Sequence, residues 1–209
     1  AMTLHLAPNP KLLDRIRDIR ASEKRFYQKV RDLFALSSDY DASDKATQVF
    51  FAETQNNLLY AVTGKTAAEI IVCRADDQAP NMGLTSWKGS IVRKGDVIIA
   101  KNYLSHDEID TLNRLVAIFL ESAELRAKNR QDLTVSFWRN NVDRILEFQD
   151  KAVLDHAGSI SKADMEKQVK ALYKQFDQRR KIADARTADA QDLEALKALE
   201  EEIKKKKDA

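Results

Sequence analysis

Gly64, Lys65 and Thr66, within "YAVTGKTAAEII", spell the last letters of a phosphate-binding loop, whose chemistry would be the holding of a nucleoside triphosphate. Such a loop needs a glycine five residues before the Gly-Lys-Thr, so that a wide turn of backbone amides can wrap the phosphates, and it must follow a buried strand. That earlier position is Leu59, and "QNNLLYAV" reads as the end of a helix. Thr66 also stands three residues before Glu69. This is capping-box spacing, in which the hydroxyl and the carboxylate each accept an amide at a helix start. Gly64 then terminates one helix and Thr66 opens the next, "AAEIIVCR". The motif is not a nucleotide-binding loop.

A second constellation lies downstream, in "NMGLTSWKGSIVRKGDVIIAKNYLS", residues 81 to 105. Lys88, Arg93, Lys94 and Lys101 outnumber Asp96, and Trp87 and Tyr103 are interleaved with them. Cationic side chains neutralise phosphates, glycines let backbone amides approach, and an aromatic ring can stack on a base or sugar. The alternative is a surface loop whose Trp87 plugs the core and whose charges are merely solvated. Asp96 and Lys101 also suggest a metal-dependent nuclease, but "DVIIAK" places Ala100 where a second acidic ligand would sit. Metal catalysis needs at least two converging oxygen ligands and a water to activate. A substrate pocket built from Glu69, Asn81, Thr85, Ser86, Asp96 and Asn102 would lack a complete acid–base pair. His106 reads as a first-turn surface residue, and His156 as lying near a helix C-terminus, where the dipole favours an imidazolium. Cys73 reads as a small core residue on the apolar side of a short helix.

The elements that must position these groups are helices. In "KLLDRIRDIRASEKRFYQKVRDLFALS" the residues Leu12, Leu13, Ile16, Ile19, Phe26, Tyr27, Val30, Leu33 and Phe34 recur at helical spacing. A second helix is expected from about Asp44 to Ala61, burying Val49, Phe50, Leu58 and Leu59. Residues 76 to 102 hold three of the five glycines and a short β-branched run, which predicts a loop with a small hairpin around Ile91 to Ile99. Ser105 and Glu108 form another capping box, opening a helix through about Lys128 with Ile109, Leu112, Val116 and Phe119 buried. Val135 to Ala157 fits a further helix, with Gly158 as its left-handed stop. Ser161 caps a last helix, in which Met165, Val169, Leu172, Tyr173 and Phe176 can still pack on the domain. Beyond Arg179 the apolar residues thin to Ile182, Leu193, Leu196 and Ile203, as in a projecting helix or weak coiled coil. The fold expected is therefore mainly α: a helical core over residues 11–178 and a projecting tail over residues 179–209.

The totals agree. With 209 residues, 44% hydrophobic, 5 Gly and 3 Pro, the chain can form a packed, helix-rich core. Its 35 basic and 33 acidic residues leave a formal charge of +2, so nucleic-acid binding would have to come from local clustering. One Cys and three scattered His support neither an intrachain disulfide nor a structural zinc site. No apolar run approaches the ~20 residues of a membrane span, and "AMTLHLAPNP" has no signal-peptide pattern. These features point to a cytoplasmic protein with no membrane partner, and no cofactor motif is readable.

"RIRDIRASEKRFYQKVRDLF", "TGKTAAEII", "NMGLTSWKG", "AKNYLSHDEIDTLNRLV" and "LDHAGSIS" together resemble the RhuM family of bacterial virulence-associated proteins. The likeness covers roughly residues 14 to 180 and is specific, because several uncommon strings recur in the same order. A weaker likeness links the "TGKTAAEI" region to DNA-damage-inducible D proteins, which share a phage-type Bro-like architecture. The resemblance implies a pathogenicity-island or mobile-element context and brings no established catalytic mechanism. It also implies an additional N-terminal module, resembling phage DNA-binding domains, ahead of "KLLDRIRDIRASEKRF". A chain starting here reads as the C-terminal part of such a protein or a shortened relative, so DNA binding by that module does not carry over. From residues and resemblance together, the leading expectation is a helical, non-enzymatic module that binds nucleic acid, DNA ahead of RNA, through Trp87, Lys88, Arg93, Lys94, Lys101 and Tyr103. The alternatives are a homo-oligomerisation or protein-interaction module acting through the terminal helix, and a toxin-like enzyme acting on nucleic acid.

Overall fold

The computed structural model describes residues 26–41, 43 and 45–207, together with residues 11 and 14. Six α-helices occur among them: α1 (Phe26–Phe34), α2 (Lys45–Thr63), α3 (Ala67–Arg74), α4 (His106–Lys128), α5 (Val135–Phe148) and α6 (Lys162–Lys207). The stripe positions Leu12, Leu13, Ile16 and Ile19 lie outside the described residues, as do the side chains of Phe26, Tyr27, Val30 and Ile203.

α2 runs through the middle and touches α3, α4 and α5, while α1 lies against α4. Its buried stripe is Thr47, Phe50, Thr54, Leu58 and Ala61, spaced by three or four residues as a single helical face requires. Val49 falls off that stripe and is 46% exposed, contrary to the sequence expectation. Where α1, α4 and α5 converge, Trp138 packs on Phe34, Phe119 and Phe137 with ring centroids 5.3, 6.3 and 4.9 Å away, all near edge-on. Edge-on aromatic packing of this kind adds to ordinary burial.

α5 ends at Phe148, well short of the expected Ala157. The Lys151 amide donates to the Leu146 carbonyl and the Asp150 amide to Glu147, with Asp150 at φ 52°. This is a Schellman closure with aspartate in the left-handed position usually given to glycine. Gly158 belongs instead to the irregular segment that follows, in which Asn57 Oδ1 accepts the Leu154 amide (3.1 Å).

Residues 76–105 contain no strand among the described residues, so the expected hairpin does not form. Short-range bonds turn its second half instead: Asp96 amide to Arg93 carbonyl, Ile99 to Asp96, Asn102 to Ile99. Two 3₁₀ turns, Pro80–Gly83 and Ala100–Tyr103, punctuate it. It is nonetheless part of the core, since Met82, Leu84, Val92, Val97, Tyr103 and Leu104 are all buried.

Ser161 stands just before α6 as its cap, its Oγ accepting the Asp164 amide (3.1 Å). Met165, Val169 and Phe176 are buried, with Leu172 and Tyr173 packed beside them. From residue 181 to residue 198 every position is exposed, including Ile182, Leu193 and Leu196 at 55–59%. At 1.5 Å per residue the 46-residue helix is about 69 Å long, so its outer part projects from the core. No helix among the described residues is long and apolar enough to cross a membrane.

Candidate functional site

The eight-residue helix α3 is the hub on which the distinctive strings meet. At its start, Gly64 adopts φ 68° and donates its amide to the Tyr60 carbonyl (2.8 Å), closing α2. Thr66 caps α3, accepting the Glu69 amide while Glu69 Oε2 accepts the Thr66 amide (2.8 Å). Asn56 Oδ1 takes the Ala67 amide (3.0 Å). The amides that a phosphate would need are thus already bonded within the protein, which answers the Gly-Lys-Thr question structurally.

Glu69 has a second task that its sequence position does not reveal. Its Oε1 accepts both the Ser159 amide (2.7 Å) and the Ser159 hydroxyl (2.6 Å). These bonds, the Ser159 side chain foremost, lower its carboxyl to about pKa 2. Beside this clasp, a Cβ on Gly158 would lie 2.9 Å from Thr66 Cγ2, so the segment docks directly on the α3 cap. His156 is not on a helix; its Nδ1 accepts the Gly158 amide (3.0 Å), and its ring stands edge-on to Tyr60 at 5.5 Å. Tyr60, Lys65, Glu69, Cys73, His156 and Ser159 line an open cleft of about 400 Å³. Cys73 is exposed rather than in the core, because the eight-residue helix buries only Ile70 and Ile71.

The other end of α3 anchors the basic loop. Arg74 forms a fork with Glu108 of α4 (2.7 and 2.6 Å) and donates to the Tyr103 carbonyl (2.8 Å). Pairing with Arg74 lowers the Glu108 carboxyl and raises the Arg74 guanidinium further. Glu108 also completes the Ser105 capping box. Within the loop, the Asn102 carbonyl accepts the Thr85 and Ser86 amides (2.7 and 3.2 Å). Thr85 Oγ1 reaches the Leu104 carbonyl (2.6 Å), and Asn102 Nδ2 reaches that of Asp96 (2.9 Å).

Residues 9–184 match the family model of the Virulence protein RhuM family. The chain belongs to the RhuM family. No curated protein and no solved structure matches it. Membership places this RhuM chain among virulence-associated proteins. Three of the strings quoted above meet around one short helix: "TGKTAAEII" forms it, "LDHAGSIS" clasps its start, and "NMGLTSWKG" crosses its end.

The predicted site residues of the RhuM chain separate into groups. Lys88, Arg93 and Lys94 are exposed, and no carboxylate among the described residues pairs with their charged ends. A Cβ on Gly89 would lie 3.9 Å from Arg93 Nη2, so that guanidinium folds back toward the segment carrying Lys88. Lys101 is half-buried and has a partner. Tyr103 is buried, its hydroxyl donating to the Val97 carbonyl (2.9 Å), and burial pushes its pKa well up. It presents no face for stacking, which corrects the sequence reading. Trp87 is half-buried against the core with its Nε1 sealed from solvent.

The six polar candidates do not share one pocket. Glu69 serves the 155–161 segment, Thr85 and Asn102 hold the loop closed, and Asp96 Oδ2 accepts the Arg93 amide (2.9 Å). Asn81 and Ser86 are exposed. No group of three or more His, Cys, Asp or Glu among the described residues is placed to hold a metal. Sequence reasoning missed Ser159 and Gly158 as partners of α3. The string containing them was visible, but its target lies 90 residues away.

The clasp has a measurable consequence. Glu69→Ala removes the carboxylate half of the capping box and two hydrogen bonds from Ser159 to an ionised group, and should lower stability by about 1–3 kcal/mol. The folded-state pKa lies below the ordinary carboxylate value, so this contribution is full above about pH 4.5 and is lost as pH falls toward about 2. Urea midpoints of wild type and Glu69→Ala should therefore converge over that interval. A gap that persists to its acid end would exclude the clasp.

Proposed function

We propose that the RhuM chain binds nucleic acid, DNA in the first instance, through phosphate contacts made by Lys88, Arg93 and Lys94. The observation that carries this reading is the exposure of three cations within seven positions, unpaired among the described residues, with the Arg93 guanidinium drawn back over Gly89. The loop bearing them is not slack. Its buried residues and the Asn102 clasp hold it, so the charges ride on a supported backbone. With Tyr103 buried and Trp87 half-buried, contact falls on the sugar-phosphate backbone rather than on stacked bases.

Backbone contacts release counterions, so affinity should fall steeply with salt. A Lys88→Ala, Arg93→Ala, Lys94→Ala triple variant should bind about 10- to 100-fold more weakly at low salt. Its log–log salt slope should be shallower by roughly 2.7, about 0.9 for each phosphate no longer neutralised. Mobility shifts at several salt concentrations measure both. Unchanged affinity and slope in the triple variant would remove this surface from the binding site.

A second reading is self-association through the outer part of α6. It is favoured by Ile182, Leu193 and Leu196, which stand exposed on the stretch of α6 from residue 181 to 198, where every position is exposed. Light scattering on the full chain and on a chain truncated after Arg180 should give a multimer and a monomer respectively. The same monomeric mass for both would end this reading.

A further inference from the structure

We infer that the ligand of this surface is a duplex lying across both the basic loop and the inner half of α6, with Lys174 and Lys181 contacting its phosphates alongside Lys88, Arg93 and Lys94. The inference rests on the nucleic-acid reading above and adds to it the ligand's form and a second contact element.

Loop and helix meet at Val92. Its carbonyl accepts hydrogen bonds from Tyr173 Oη and Arg180 Nη1, each at 3.4 Å. Arg93 and Lys94 therefore follow directly from the point where the loop touches α6. On a helix turning about 100° per residue, Tyr173 and Arg180 lie on nearly one line, and Lys174 and Lys181 lie on a parallel line one step further round. That step leads away from the buried Val169 and Phe176, past the loop contact and out to solvent. Arg179 lies on the opposite flank, where it meets Asp77 (3.7 Å). Lys174 and Lys181 are both exposed and stand about 10.5 Å apart along the axis, close to three base-pair steps of ~3.4 Å.

The charge of α6 agrees. Residues 162–186 carry eight Lys and Arg against four Asp and Glu, so the excess sits on the half that packs beside the loop. Two local carboxylates temper it: Glu166 holds Lys170 (2.5 Å), and Asp177 holds Lys181 (2.9 Å) and Arg180. Lys174 has no such partner among the described residues.

The form of the ligand follows from the aromatic groups. Proteins that hold single strands gain about 1–3 kcal/mol per base from stacking on exposed rings. Here Tyr103 is inside, Tyr173 is half-buried with its hydroxyl on Val92, and the Trp87 indole packs on the core. With those three rings turned in, what the loop and the adjoining face of α6 offer is phosphate attraction, which is stronger toward the denser charge of a duplex than toward a single strand.

The test uses the full chain and fluorescence anisotropy at low salt. The probes are a labelled mixed-sequence duplex of about two turns (~20 base pairs) and one of its strands. The duplex should bind about tenfold tighter than the strand. Lys174→Ala with Lys181→Ala should weaken duplex binding about tenfold and lower the salt slope by roughly 1.8, while Lys197→Ala, farther along the same exposed helix, should have little effect. Asp177→Asn, which frees Lys181, should tighten binding. Equal or tighter binding of the single strand overturns the duplex assignment. A double variant no weaker than Lys197→Ala removes α6 from the surface. Absence of salt-dependent binding to either probe sinks the underlying reading itself, an outcome distinct from the other two.

Discussion

Trp138→Ala should destabilise the fold by about 3–5 kcal/mol, the largest loss expected from any single substitution. The indole is fully buried, and its removal leaves a void bounded by Phe34, Phe119 and Phe137, whose edge-on contacts disappear with it. Such a void collapses only partly, because the three rings come from different helices held by other contacts. Against a typical domain stability of about 5–15 kcal/mol, this is a large fraction of the total. Trp138→Phe provides the discriminating comparison. It keeps an aromatic ring and deletes an indole N–H that has no hydrogen-bond partner among the described residues. Its cost should be less than half that of alanine. Urea denaturation of both variants measures this, and similar losses for the two would mean that ring packing is not what the residue contributes.

Gly83→Ala should be the second most damaging change. The residue has φ 76°, and an added Cβ would lie 2.4 Å from the Arg74 carbonyl oxygen, a main-chain atom at the end of α3 that cannot swing aside. Left-handed backbone costs a non-glycine residue about 1–2 kcal/mol, and the forced displacement roughly 1–3 more. The preceding Asn81 and Met82 are already left-handed, at φ 53° and 60°, so the turn has little room to absorb the shift. Relief must come from the loop lifting off α3. Amide exchange should therefore accelerate across residues 81–105 while the Trp138 cluster stays protected. Uniform acceleration over the whole chain would contradict this local account.

How far such features can be read in advance depends on whether their causes are local. The capping boxes at Thr66 and Ser105 are local chemistry spread over four residues, and both form as the spacing predicts. The start of α6 at Ser161 and the end of α4 at Lys128 are legible for the same reason. The stop at Phe148 is not, because Asp150 occupies the left-handed position without the glycine that would advertise it. In the basic loop, which charges would be exposed was half readable. The segment has no regular period, so nothing in it distinguishes an outward Lys94 from an inward Tyr103. The family match over residues 9–184 agrees with the resemblance seen from about residue 14 to 180. The quoted strings do not reveal that Glu69 and Ser159 are joined, because that contact depends on how the chain returns to α3.

From residue 181 to residue 198 every position of α6 is exposed, so helix–coil statistics rather than side-chain interlocking govern that stretch. Starting a helix is its expensive step, and the turns docked against the core have already taken it. The remainder only needs propagation, which its alanine, glutamate and lysine residues favour. Warming should therefore shorten the rod by degrees from its outer turns inward, well before the anchored body gives way in a single cooperative event.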